Sequence, residues 1–246
     1  MEYIKNRKTI RKYKSSDVPA KVLNNLLEVS MRASTMGNMQ LYSVVVTRDS
    51  EMKEKLSPAH FNQPMVTSAP VVLTFCADFN RFSKWCELRG AEPGYNNFLS
   101  FVNAVSDTLL FTQNFCNVAE ESGLGICYLG TTVYNAGQII DILDLPHLVV
   151  PVATITLGYP DEDPMQPDRL PLAGIVHDET YHDYADEDIN NIYSFKEALP
   201  ENKEFVKINK TESLAHIFTD IRYKKADNEF MSESLKTVLK KQGFDF

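Results

Sequence analysis

The sequence predicts an α/β or α+β sandwich. Three observations point there: short apolar runs rich in β-branched residues, amphipathic stretches between them, and one long helical run. The short runs are Tyr42 to Thr47, Ala69 to Ala77, Ile126 to Gly130 and Leu148 to Leu157, each of strand length. The long run is Phe98 to Glu121, where Phe101, Val102, Val105, Leu109, Phe111, Phe115 and Val118 recur at helical spacing without proline or glycine.

In chain order, Arg7-Lys8-Thr9-Ile10-Arg11-Lys12-Tyr13 comes first. Ile10 and Tyr13 stand three apart, which on a helical turn anchors one side and leaves the cations on the other. Ser15-Ser16-Asp17-Val18-Pro19 supplies cap residues and a proline ahead of an amphipathic helix from about Pro19 to Arg32. Small polar residues, Ala33 to Gln40, lead into the first strand. Glu51 to Leu56 reads as a short helix, Ser57 to Pro64 as a loop, and Asn80 to Leu88 as a helix broken by Gly90 to Gly94. Gly123-Leu124-Gly125 stops the long helix. Asn135 is placed to cap a helix through Leu143, and Gly158-Tyr159-Pro160 closes the last strand. Beyond Asp183 the chain is acidic and charged, with one convincing helix near Glu229 to Lys241. Residues 1–182 therefore read as a core, and 183–246 as an extension wrapping that core or a partner subunit.

A chain of 246 residues has room for one sizeable core or two small domains. Net charge -8 and a pI near 5.2 argue against bulk nucleic-acid binding, though not against a local phosphate pocket. The start has no apolar signal core and no run approaches ~18 apolar residues, so a soluble cytoplasmic protein without membrane contact is expected. Cys76, Cys86, Cys116 and Cys127 form no CxxC pair, and the histidines are scattered, so neither a disulfide framework nor a metal site is expected.

Several sequence signatures of catalysis are missing. There is no phosphate loop of the G-x-x-x-x-G-K-[ST] type, no G-x-S-x-G elbow and no G-x-G-x-x-G opening a βαβ unit. What remains is a set of separated polar clusters: Arg7 to Arg11, Ser34 to Gln40, Gln63, Tyr128 to Thr131, and Arg169. Four cations within six residues of an acidic chain suit an anion, through charge-assisted hydrogen bonds. Polar clusters without an acid, base or nucleophile among them are the pattern expected where a bound cofactor performs the chemistry.

Five segments in order carry a family resemblance. Arg7 to Tyr13 is similar to an opening R-S-x-R-x-F motif, and Ser34-Thr35-Met36-Gly37-Asn38-Met39-Gln40 to an S-x-x-N-x-Q loop before a strand. Gly123-Leu124-Gly125 through Tyr128-Leu129-Gly130 resembles a G-L-G…Y-[IL]-G segment. Leu157-Gly158-Tyr159-Pro160 with Arg169-Leu170-Pro171 resembles G-[WY]-P…P-R-L-P, and Lys241-Gln242-Gly243-Phe244 a terminal K-Q-G-aromatic. Together they resemble the nitroreductase superfamily of FMN flavoproteins, and within it the NADPH-preferring branch of oxygen-insensitive nitroreductases and NADPH–flavin oxidoreductases.

The resemblance implies an α+β sandwich with a mostly antiparallel central sheet flanked by helices and a C-terminal helical extension. It implies FMN as cofactor, NADPH or NADH as reductant, small aromatic electron acceptors, and a homodimer. Arg7, Lys8, Thr9 and Arg11 are expected on the FMN phosphate and ring, with Arg169 joining the phosphate. Thr35, Asn38 and Gln40 are expected to face the flavin, often across the dimer boundary. Gln63 is expected to hydrogen-bond the cofactor, and the backbone of Tyr128, Leu129, Gly130 and Thr131 to pass one face of the ring. Three positions depart from the family pattern: Lys8 where arginine is common, Pro167-Asp168 before Arg169, and Lys203 to Lys210, which lacks the arginine-bearing loop for the NADPH 2′-phosphate. The alternative function is an FMN-binding storage or sensor protein without significant turnover.

Overall fold

In the computed structural model residues 2–245 are described. The helices in chain order are α1 (Glu2–Lys5), α2 (Ala20–Ser30), α3 (Ser50–Leu56), α4 (Pro64–Ser68), α5 (Asn80–Leu88), α6 (Phe98–Glu121), α7 (Ala136–Leu143), α8 (Asp186–Ala198), α9 (Pro200–Asn209), α10 (Leu214–His216) and α11 (Lys225–Lys241). The strands are β1 (Tyr42–Thr47), β2 (Val71–Asp78), β3 (Gly125–Leu129) and β4 (Val149–Gly158). They form one sheet in the order β1-β2-β4-β3, antiparallel at every pairing, so the class is α+β.

Two compact units divide the chain. One runs through Gln166 and takes up the chain again from Ser232; the other is Pro167–Met231. In the first unit β2 and β4 are central and buried along their whole length, which is why both read as continuous apolar runs. α6 buries Ala104, Thr108, Phe111, Phe115 and Ala119 at three- and four-residue spacing. Phe75 meets Phe111 and Phe115 at 5.5 and 5.6 Å between ring centroids, and Tyr42 stacks on Phe111 at 4.3 Å. Each such ring pair adds about 0.5–1.5 kcal/mol beyond the area it buries.

The end of the chain docks on the same unit. Leu239 and Phe244 are buried against Val150, the Leu148 N–H donates to the Gln242 carbonyl (2.8 Å), and Gln242 Nε2 donates to the Val149 carbonyl (2.8 Å). Gly243 takes φ +89, and a β-carbon there would collide with the His147 ring, so glycine is required twice over.

Where the sequence suggested a helical turn, Arg7 to Tyr13 contains no helix. The Ile10 N–H donates to the Ile126 carbonyl (3.0 Å), the Lys14 N–H to the Tyr159 carbonyl (2.9 Å), and Tyr13 bridges Pro160. Distant backbone partners replace those a helix would have supplied. The Ser57 to Pro64 stretch holds a one-turn 3₁₀ helix at Pro58–His60. Asn135 stands at the N-cap position of α7 but does not cap it; its Nδ2 donates to the Ala59 carbonyl (2.8 Å) instead.

The Pro167–Met231 unit is more helical than its charge suggested. α8, α9, α10 and a π-helical turn at Ile217–Arg222 occupy about half of it, around the few buried apolar residues Ile192, Leu214 and Ile217. Asp186, Glu187 and Asp188 open α8, where acidic residues favour a helix start, so the acidity is itself a helix signal. The Arg222 guanidinium lies 5.0 Å from the centre of the Phe205 ring and 5.7 Å from that of Phe218.

Candidate functional site

The cations of the opening stretch have different fates. Arg7 Nε lies 3.2 Å from the Glu120 carboxylate near the C-terminal end of α6, and Lys8 Nζ lies 2.6 Å from Asp163. Burial pushes the Glu120 carboxyl up, and Arg7 beside it draws it back down. Glu162 accepts from the backbone N–H groups of Arg11 (2.5 Å) and Lys12 (3.0 Å). Among the described residues neither the Arg11 nor the Lys12 side chain has an ion-pair partner, and the Thr9 hydroxyl has no hydrogen bond. Arg11 sits beside the Cys127 thiol of β3; burial pushes that thiol up, and Arg11 and Arg7 partly offset the rise. Cys76 and Cys116 are also pushed up by burial, and all four cysteines are free and buried. The raised thiols of Cys76, Cys116 and Cys127 lack the thiolate character of a nucleophile.

β3 aims its C-terminal end at the turn predicted to pass the ring. Leu129 is buried and Tyr128 and Gly130 are exposed. Thr132 Oγ1 lies 3.0 Å from Thr154 Oγ1 and donates to the Leu129 carbonyl (3.2 Å), which fixes the turn against β4. His60, fully buried, holds the Thr131 hydroxyl at 2.8 Å through Nδ1, and Gln63 Nε2 donates to the His60 carbonyl (3.1 Å). Burial pushes the His60 imidazole down to about 4, so it is neutral at pH 7. One edge of the sheet thus gathers Thr9, Arg11, Gln63 and the Tyr128–Thr131 turn.

The loop before β1 is built on the opposite edge strand. Gly37, Asn38 and Gln40 all take positive φ (+53, +57 and +54). For Gln40 that is an uncommon conformation which only a well-tied loop sustains. Asp107 of α6 provides the ties at the Thr35 end, accepting from the Thr35 hydroxyl (2.5 Å) and the Met36 N–H (2.8 Å). Arg81 donates to the Gln40 and Tyr42 carbonyls at the other end. A cavity of about 510 Å³ opens beside Gln40, lined by Leu27, Met39, Tyr42, Arg81 and Phe111.

Arg169 belongs to the other unit, where its guanidinium donates to the Asp168 carbonyl (2.8 Å) and the Asp168 carboxylate is paired with Lys196 (2.9 Å). The structure therefore brings together the positions beside β3, and separately Thr35, Asn38 and Gln40. These two groups sit at the two edge strands, with β2 and β4 between them. Sequence reasoning missed His60, Arg81, Asp107, Glu120, Glu162 and Asp163. Only Asp107 left a trace, as the one acidic residue on the apolar face of the long helix.

The fit to a flat, phosphate-bearing cofactor rests on the β3 edge. Among the described residues, the Arg11 guanidinium without an ion-pair partner, the Thr9 hydroxyl and the half-buried Gln63 amide lie on segments beside an exposed turn, a donor set that suits an anion joined to a polar ring. The Nitroreductase family model matches residues 4–159. The chain is 29% identical over 199 residues to the CR(VI) reductase of Pseudomonas sp. (strain G-1), covering 81% of this chain and 78% of that one. It is 30% identical over 247 residues to the FMN reductase [NAD(P)H] of Bacillus subtilis (strain 168), covering 97% and 95%. A solved chain from Bacteroides fragilis NCTC 9343 is 64% identical over the full length of both, with a TM-score of 0.99. An antiparallel α+β sandwich with this edge site, matched by the family model over most of its length, belongs to the Nitroreductase family.

Proposed function

We propose that the protein is an FMN-dependent NAD(P)H oxidoreductase that passes two electrons to nitroaromatics, quinones or free flavin in a ping-pong cycle. When bound, FMN supplies a ring that takes a hydride from NAD(P)H and hands the electrons on. The chain binds, orients and shields. Arg11 offers a permanent charge to the phosphate or the electron-rich side of the ring, with the Thr9 hydroxyl beside it. Gln63 and the Tyr128–Thr131 turn offer neutral donors, held in register by His60. Arg7 and Lys8 support the site from their pairs with Glu120 and Asp163. No side chain is needed as acid or base, because solvent reaches the exposed turn.

The observation that supports the reading is that the residues assigned to the flavin lie at the two edges of one sheet. Three strand spacings separate the edges, roughly 14 Å. Thr35, Asn38 and Gln40 of one copy therefore serve the β3 edge of another, and the working unit is a homodimer. Among the described residues no helix is long and apolar enough to cross a membrane, and we place the enzyme in the cytoplasm.

The test is the visible absorption spectrum before and after anaerobic NADPH. Flavin bands that bleach, then return on adding a quinone or nitroaromatic, are the expected result. Bands indifferent to both NADPH and NADH would make the protein a flavin store or sensor instead. A colourless protein that takes up no FMN would overturn the reading.

A further inference from the structure

Asp107 lies in the middle of α6, on the stripe that also carries Ala104, Thr108 and Phe111, and is 3% exposed. A carboxylate at such a position costs several kcal/mol unless its oxygens are filled by donors. Among the described residues every donor that reaches it comes from one place, the segment leading into β1. Its Oδ2 accepts from the Thr35 hydroxyl (2.5 Å) and the Leu41 N–H (3.2 Å), and its Oδ1 from the Met36 N–H (2.8 Å). The Gln40 N–H then donates back to Thr35 Oγ1 (2.8 Å), closing the network. One buried group thus grips both ends of a loop in which Gly37, Asn38 and Gln40 have positive φ.

We infer that Asp107 is a positioning residue: it holds the 35–41 loop in the strained shape that presents Asn38 and Gln40 to the cofactor, and Thr35 acts as a brace within that network. The inference rests on the FMN reading above. Its physical reason is directional. Met36 N–H, Leu41 N–H and Thr35 O–H all point inward at the two carboxylate oxygens, so the outward side of the loop is left to Asn38 and Gln40. An asparagine at 107 would turn an NH₂ group toward at least one of those donors, and the loop would relax to ordinary backbone angles.

The test compares Asp107→Asn, Thr35→Val and Thr35→Ser with the wild type. Backbone amide exchange is measured without FMN, and the FMN dissociation constant by quenching of flavin fluorescence. In Asp107→Asn the Met36 and Leu41 amides should exchange about tenfold faster or more, with β2 still protected, and the dissociation constant should rise about tenfold or more. Thr35→Val should weaken FMN in the same direction, and Thr35→Ser should restore it. Asp107→Asn that frees the loop yet binds FMN within twofold of wild type would overturn the proposal, as would unchanged exchange at Met36 and Leu41. Should Asp107→Asn fail to fold, the Thr35 pair decides: equal binding by Val and Ser sinks the proposal. A wild type that takes up no FMN overturns the flavin reading, while the exchange data still decide whether Asp107 holds the loop.

Discussion

Arg7 and Arg11 are the same residue type four positions apart, yet the structure separates their roles. Among the described residues Arg11 is exposed and has no carboxylate partner, whereas Arg7 neutralises a half-buried Glu120. Arg11→Ala should therefore weaken FMN about tenfold or more and barely move the melting temperature of the FMN-free protein. Arg7→Ala should cost about 1–3 kcal/mol of stability, because it leaves Glu120 without its cation. Calorimetry and flavin titration on the two variants test this, and equal losses of stability would refute it. His60 gives a pH signature. Its folded value of about 4 lies below the ordinary 6.5, so between those limits the unfolded chain binds more protons. Stability from this group is complete above pH 6.5 and falls as the pH drops toward 4, by up to about 3 kcal/mol. Urea unfolding at pH 7 and pH 5 should show the difference shrinking in His60→Gln; an unchanged difference would remove His60 as the cause. None of these distinctions is visible along the sequence, because a side chain's partner is set by which distant segment packs beside it.

At the scale of elements, legibility followed burial. β1, α5 and α6 match their sequence limits, and in α6 the match follows a long apolar signal of helical period. Arg7 to Tyr13 misled because its backbone is satisfied by Ile126 and Tyr159, far along the chain. α8 and α9 were hidden because an exposed helix over a thin core needs no apolar stripe. The last turn of the chain, although far from the site in sequence, clamps the Val149 end of β4. Gly243→Ala forces a side chain into positive φ and into the His147 ring, and should cost about 1–3 kcal/mol. A denaturant midpoint equal to wild type would show that this contact is not formed.

For the whole molecule, the four-stranded sheet places the residues proposed to face the flavin at its two edge strands, and the proposed homodimer is what would join them. Sedimentation should give a particle of two chains. Arg11→Ala and a variant of the 35–41 loop such as Gln40→Ala, each poor in FMN alone, should recover about a quarter of wild-type sites when unfolded and refolded together, since random pairing leaves one intact site in each mixed dimer. No recovery would place both halves on one copy.

The sequence by itself determined the class of fold, the order of its principal elements and the family, since these depend on apolar period and on motifs that are local in the chain. It also named the polar clusters. Only the tertiary structure decided which cations are spent on Glu120 and Asp163 and which remain free, that His60 ties Gln63 to Thr131, and that a carboxylate inside α6 shapes the loop before β1. The physical reason is range. Hydrophobic period is written into neighbouring residues, whereas charge pairing and hydrogen-bond direction depend on groups that only folding brings within 3 Å of one another.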